Sequence, residues 1–142
     1  TIVETAISNP DFSLLVAAVL RASQGATNVA NVLSGAGPFT VFAPTNQAFI
    51  NAGFANEAAI NAADPNTLTS ILTYHVIAGR IFSSDLTNGA MPVTVNGEKV
   101  TISLTSGAQV KGMGNTTPSN IIATDIVTTN GVIHVIDQVL LP

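Results

Sequence analysis

The feature that most restricts this chain is a change of hydrophobic period near its middle. Phe12, Leu15, Val16, Val19 and Leu20 fall at i, i+3, i+4, i+7 and i+8, which is one face of a helix. Asp11 is placed to cap that helix, and Gly25 follows its end. A short helix is expected over Asn28 to Leu33, stopped by Gly35. Thr45 or Asn46 caps a turn that carries Phe49 and Ile50 and ends at Gly53. Asp64-Pro65 is a strong start signal, a capping side chain followed by proline at the first helical position. Leu68, Ile71 and Leu72 then mark a buried face, which His75 continues.

Beyond this point the period becomes two. Met91, Val93 and Val95 alternate with other residues, Asn96-Gly97 follows, and Val100, Ile102 and Leu104 alternate again. Asn-Gly favours a two-residue hairpin turn with positive φ at both positions. That turn pairs Val95 with Glu98, Val93 with Val100 and Met91 with Ile102, so the apolar residues share one face. Asn130-Gly131 predicts a second such turn, between Ile121–Val127 and Val132–Leu141. Phe39–Phe42 and His75–Ile77 are further strand candidates. Helices first and strands second imply an α+β fold. It would be a single domain over 1–142, with a twisted antiparallel sheet or sandwich in the C-terminal half and several short helices from the N-terminal half packed against it.

Composition narrows the chemistry. Only 8% of residues are charged, against about 25% in an average domain, so the surface is largely neutral and polar. The four cations, Arg21, Arg80, Lys99 and Lys111, are scattered, and the net charge is −4. Nucleic-acid binding needs clustered cations, and anionic membranes are disfavoured for the same reason. With no cysteine, disulfides, thiolate metal sites and cysteine nucleophiles are excluded. No apolar run approaches the ~20 residues of a membrane span. The chain begins at Thr1, as a processed or excised fragment would.

Catalytic groups are sparse. His75 reads as a core histidine paired with backbone. His134 lies in a strand near Asp137, but no histidine–carboxylate pair has metal-ligand spacing. No serine occupies a Gly-x-Ser-x-Gly elbow, and no phosphate loop, dinucleotide fingerprint or calcium loop occurs. The chain is therefore read as a non-enzyme without cofactor or metal. Asn115-Thr116-Thr117 fits the glycosylation sequon, with Pro118 directly after it.

Three ordered stretches resemble the fasciclin-like domain family. They are Gly37-Pro38-Phe39-Thr40-Val41-Phe42-Ala43-Pro44-Thr45-Asn46-Gln47-Ala48-Phe49, then Leu72-Thr73-Tyr74-His75-Val76-Ile77, then the closing Asn130-Gly131-Val132-Ile133-His134-Val135-Ile136-Asp137-Gln138-Val139-Leu140-Leu141. The first reads as a strand with Phe39, Val41 and Ala43 on one face and Thr40 and Phe42 on the other. The last contains a nearly continuous apolar run, suited to a central strand covered on both faces.

The resemblance implies a fasciclin-like fold and a non-catalytic adhesion or interaction module of a secreted, periplasmic or cell-surface protein. Its expected partner is a surface or matrix protein, and the domain would be monomeric, alone or in a multi-domain protein. In animal matrix members the tyrosine-histidine motif and an Asp-Ile pair before the closing turn are linked to integrin binding. Here those are Tyr74 and His75, and Asp125 and Ile126. Ala123 and Thr124 precede Asp125 where the animal pattern has an acidic-proline pair. That departure, with the missing cysteine and sparse charge, suits a bacterial member. The alternatives are a carbohydrate-binding module for cell-wall or matrix polysaccharide and a small hydrolase using His134 and Asp137 or a serine that no motif marks. The first is weakened because sugar sites usually want stacking aromatics, and the chain has one tyrosine, no tryptophan and six phenylalanines, most of which read as core.

Overall fold

The computed structural model describes residues 2–24, 38–54, 56–79, 81–104, 107–114, 118–128 and 130–140, without the side chains of Val3, Glu4, Glu57, Ser83 and Asp125. The expected helix Asn28–Leu33 and the sequon at Asn115 lie outside the described residues.

Helix α1 (Ile2–Ser8) and a 3-10 turn (Pro10–Phe12) lead into α2 (Ser13–Ala22). Asn9, not Asp11, caps this entry, accepting from the Asp11 amide at 3.0 Å. The first free amide of α2 is served from a distance: Asn46 Oδ1 accepts from Leu14 N at 2.9 Å. Asn46 also donates to Pro10 O and Ser13 Oγ, each at 3.0 Å. Thr45 is then the cap of α3 (Asn46–Asn51). The two polar residues after Pro44 thus divide the work, one capping its own helix and one capping α2.

After α4 (Glu57–Asn61), helix α5 (Pro65–Tyr74) starts as expected, with Asp64 Oδ1 accepting from Asn66 N at 2.8 Å. Leu68 and Leu72 are buried, and Ile71 packs against the same core. Helix α2 packs on each of the other four described helices. Its buried face is Leu14, Leu15, Ala18, Val19 and Ala22. Leu20, expected on that face, is 59% exposed.

The strands are β1 (Phe39–Pro44), β2 (Val76–Ala78), β3 (Val100–Ser103), β4 (Gln109–Gly112), β5 (Ser119–Thr128) and β6 (Gly131–Ile136). They form one sheet in the order β2-β1-β6-β5-β4-β3. The pairings are antiparallel except β1 with β6, which run parallel. That exception makes the sheet mixed where an antiparallel one was expected. Alternation along one strand reports which faces are buried, not which strand lies alongside.

Strands β1 and β6 divide the interior into two cores. Val41, Ala43, Ile133 and Val135 face the helices, where they meet Leu15, Phe49, Leu68 and Leu72. Phe42 and Ile136 face the other way, into the curl of the sheet, with Tyr74, Ile77, Val100, Ile102, Val110 and Leu140. Every residue of β6 is buried, which is why its sequence is nearly continuously apolar.

The segment 90–96 shows that the sheet is curled. Ala90 O and Pro92 O accept from Ile102 N and Val100 N, on the outer side of β3. Val95 N donates to Val76 O of β2 at 2.7 Å. Strands β2 and β3 stand at opposite ends of the strand order, so one segment can bond both only if the sheet bends round on itself.

Both Asn-Gly turns differ from expectation. The bridge between Val93 and Lys99 and the bond from Thr94 N to Glu98 O at 2.9 Å close a three-residue loop, with Gly97 at φ 101°. The expected two-residue register is displaced by one residue, so Thr94 is buried while Met91, Val93 and Val95 are exposed. At the second turn Thr128 pairs with Gly131, so Gly131 is the first residue of β6 and not a turn residue. Its φ lies outside the left-handed region, but a Cβ there would sit 2.1 Å from Phe39 O and 2.8 Å from Ile2 Cδ1. Glycine is needed at Gly131 for close approach, not for a positive φ.

Candidate functional site

Tyr74 and His75 end α5, and both are buried. Tyr74 reaches into the core within the curl. Its hydroxyl donates to Lys99 O and accepts from Met113 N at 2.9 Å. Burial holds its pKa above the ordinary tyrosine value, opposed by the Met113 bond and assisted by Glu98. His75 Nδ1 donates to Ile71 O at 2.7 Å, and Nε2 accepts from Leu140 N at 2.9 Å. A ring receiving a backbone N–H is neutral, and burial lowers its pKa to about 4, against a raising contribution from Ile71 O. His75 O also accepts from Phe42 N at 2.9 Å. Between them the two residues tie α5 to β1, to the start of β3, to the turn after β4 and to the closing segment.

Asp125 and Ile126 lie in a different part of the molecule, in β5. Ile126 is partly buried against the core under the helices. The register passes from Ala123↔Val135 to Ile126↔Ile133, so residues 124 and 125 stand against the single residue His134. A second irregularity falls between Ile121 and Ala123. Bulges of this kind bend a strand and re-aim its side chains. Here Ile122, Ala123 and Thr124 are exposed in succession, and Val127 is exposed beyond them. Nothing in the alternation of the sequence marks Ile122 and Val127, because the bulges break the period through which a strand face is recognised. The adjacent apolar pair Ile121-Ile122 is the available signal.

Next to this strand, Asn130 is buried, and its Oδ1 accepts from Ile2 N at 2.9 Å, the start of α1. The closing turn is therefore fastened to the N-terminal helix.

His134 and Asp137, the pair named for a hydrolase, each hold backbone hydrogen bonds. His134 is buried and gives Nε2 to Ile81 O at 2.7 Å. Asp137 accepts with one oxygen from Asn120 N and with the other from Asn120 Nδ2, at 2.8 and 2.9 Å. Ser119 Oγ donates to Gln138 O at 2.7 Å. Among the described residues no group of three His, Asp or Glu side chains could hold a metal, no aromatic ring is fully exposed, and no helix is long and apolar enough to cross a membrane.

Helices layered on a curled mixed sheet, with two central strands separating two cores, define a small α+β domain. A family model described as Fasciclin domain matches residues 10–142, and the chain belongs to that family. It is 42% identical over 144 residues to Protein sll1483 of Synechocystis sp., covering all of this chain and 73% of that protein. It is 34% identical over 142 residues to Immunogenic protein MPB70 of Mycobacterium bovis, covering 96% of this chain and 66% of that protein. Among solved structures, a FAS1 domain pair from the insect cell adhesion molecule Fasciclin I matches with a TM-score of 0.62 at 24% identity, covering 86% of this chain and 43% of that one. That last likeness is one of fold.

Proposed function

We propose that this fasciclin domain is a non-catalytic adhesion module of a secreted, periplasmic or surface-attached protein, with residues 1–142 acting as one domain. Its partner in this reading is a surface or matrix protein. The observation that carries it is the exposed apolar surface along the bulged strand β5. There Ile122 is 58% and Val127 61% exposed beside the Asp125–Ile126 segment. Exposed aliphatic side chains on a surface that carries few charges suit a short-range apolar contact. Membership of a family that includes an insect cell adhesion molecule supports the same reading. Tyr74 and His75 serve it indirectly, by holding the sheet and helices in register, since neither side chain reaches the surface.

The test is attachment of whole cells or envelope fragments to the immobilised domain. Ile122→Ser with Val127→Ser should reduce attachment at least about tenfold while leaving the melting midpoint nearly unchanged, because exposed substitutions shift stability little. Attachment should change only about twofold between low and moderate salt, since few charges are available to be screened. Undiminished attachment by the double variant, or collapse with salt, would overturn the reading.

A further inference from the structure

The curl of the sheet leaves a second feature that adhesion does not use. A cavity of about 320 Å³ opens between β2, the segment 81–92 and β3. Its size is in the range of small-molecule sites, ~300–1,000 Å³. The floor is Phe42, Ile77 and Ile102, all buried, and Leu86 stands partly buried at the side. Thr87 and Asp85 are exposed at the rim. Among the described lining residues Asp85 is the one ionisable side chain. Its Oδ2 accepts from Phe82 N at 3.0 Å, which holds the carboxylate at the mouth.

We propose that this cavity binds a small amphiphilic amine, with an aromatic or hydrocarbon body against Ile81, Leu86 and Met91 over the floor of Phe42, Ile77 and Ile102, and its ammonium group at Asp85. The order of the lining sets the polarity of the ligand. Among the described residues the floor offers no charged group to a polar head, so the apolar end enters first. A lysine side chain presents the opposite polarity, its charge leading, and would bury an ammonium group against Phe42 and Ile102 at a desolvation cost. An acid is disfavoured by the rim carboxylate and by the net charge of −4. The same head and body occur in a free arylalkylamine and in the N-terminal phenylalanine of a peptide.

Phenethylamine, 2-phenylethanol and the tripeptide Phe-Gly-Gly amide are the probes, titrated into the intact chain and followed by backbone amide shifts. Phenethylamine should give saturable shifts at Ile77, Leu86 and Ile102, with a Kd on the order of a millimolar. Asp85→Asn keeps an acceptor for Phe82 N, so the turn is retained. It should weaken phenethylamine about threefold to fivefold, as for an exposed ion pair, and leave 2-phenylethanol unchanged. Ala90→Phe fills the cavity and should abolish binding of both. Binding of the tripeptide as well assigns the site to free N-termini, and binding of the amine alone assigns it to small molecules. No saturable shift up to about 50 mM, shifts mapping elsewhere, or equal affinity in Asp85→Asn would overturn the proposal. The Asp85→Asn comparison decides even if Ala90→Phe does not fold.

Discussion

Strand β6 and the hairpin around Asn96-Gly97 are both written in alternating or continuous aliphatic residues, yet they behave oppositely. In β6 every residue is buried, three of them as isoleucine or valine in the core under the helices or within the curl. In the hairpin Met91, Val93 and Val95 are all exposed, and Thr94 is the residue turned inward. The difference lies in how many faces are covered. A strand buried on both sides tolerates no polar face, so its composition alone states its place. A strand buried on one side depends on register, and one residue in the loop turns every side chain over. Thr94 withstands burial because its hydroxyl donates to Glu98 O at 2.8 Å within the turn.

The comparison breaks most sharply at Gly131. If the close approach of Phe39 O is what demands glycine, alanine already carries the offending carbon. Gly131→Ala should then cost at least about 4 kcal/mol, in the range reserved for core clashes and lost networks, and Gly131→Val should not fold. A left-handed turn residue would lose only about 1 kcal/mol on the same change. The urea midpoint of Gly131→Ala separates the two accounts.

His75 sharpens the buried side of the comparison through pH. In the folded chain its pKa is about 4, chiefly because burial penalises the cation, whereas the unfolded chain titrates near 6.5. The folded form is favoured fully above about pH 6.5, where both states are neutral. As pH falls towards 4 the unfolded state takes up a proton that the folded state refuses, so stability is lost. The loss is on the order of 3 kcal/mol across that window. Urea unfolding at several pH values should show it, and His75→Gln, which keeps a donor and an acceptor, should flatten the slope between pH 6.5 and 4.

Tyr74 tests whether the motif is a structural fastening. Tyr74→Phe removes the hydroxyl shared by Lys99 O and Met113 N and leaves both groups without it. A loss of about 1–3 kcal/mol follows. A variant as stable as the parent would remove the fastening account and reopen a direct binding role for the ring.

Local chemistry is legible in the sequence by itself. Asp64-Pro65 begins α5 because cap and proline act within one turn, and the alternation of Phe39 to Ala43 separates the two cores because a pleat has only two sides. What the sequence hides depends on residues far apart. Asn46 serves α2 across 32 positions, β1 lies parallel to β6, and Gly131 is dictated by Phe39. The candidate site divides in the same way. The burial of His75 follows from the helical spacing of Leu68, Ile71 and Leu72. Tyr74 lies off that stripe and is buried only because the sheet curls over the end of α5. The exposed pair Ile122 and Val127 depends on bulges in β5, which exist only relative to β6.

The smallest effect probes the other side of the contrast with β6. Val93 is 52% exposed, so Val93→Thr should change the melting free energy by no more than about 0.5 kcal/mol. In the two-residue register Val93 would lie opposite Val100 in the core, and the same change would bury a hydroxyl at a cost of at least about 1 kcal/mol. Thr94→Val reverses the test. It removes a satisfied inward hydroxyl in the observed register, leaving the turn weakened by about 1 kcal/mol, but would be harmless on an exposed face. The pair of variants, measured together by thermal unfolding, reads the register directly. A costly Val93→Thr with a neutral Thr94→Val would restore the two-residue turn and put the aliphatic residues of this hairpin back inside, on the same footing as those of β6.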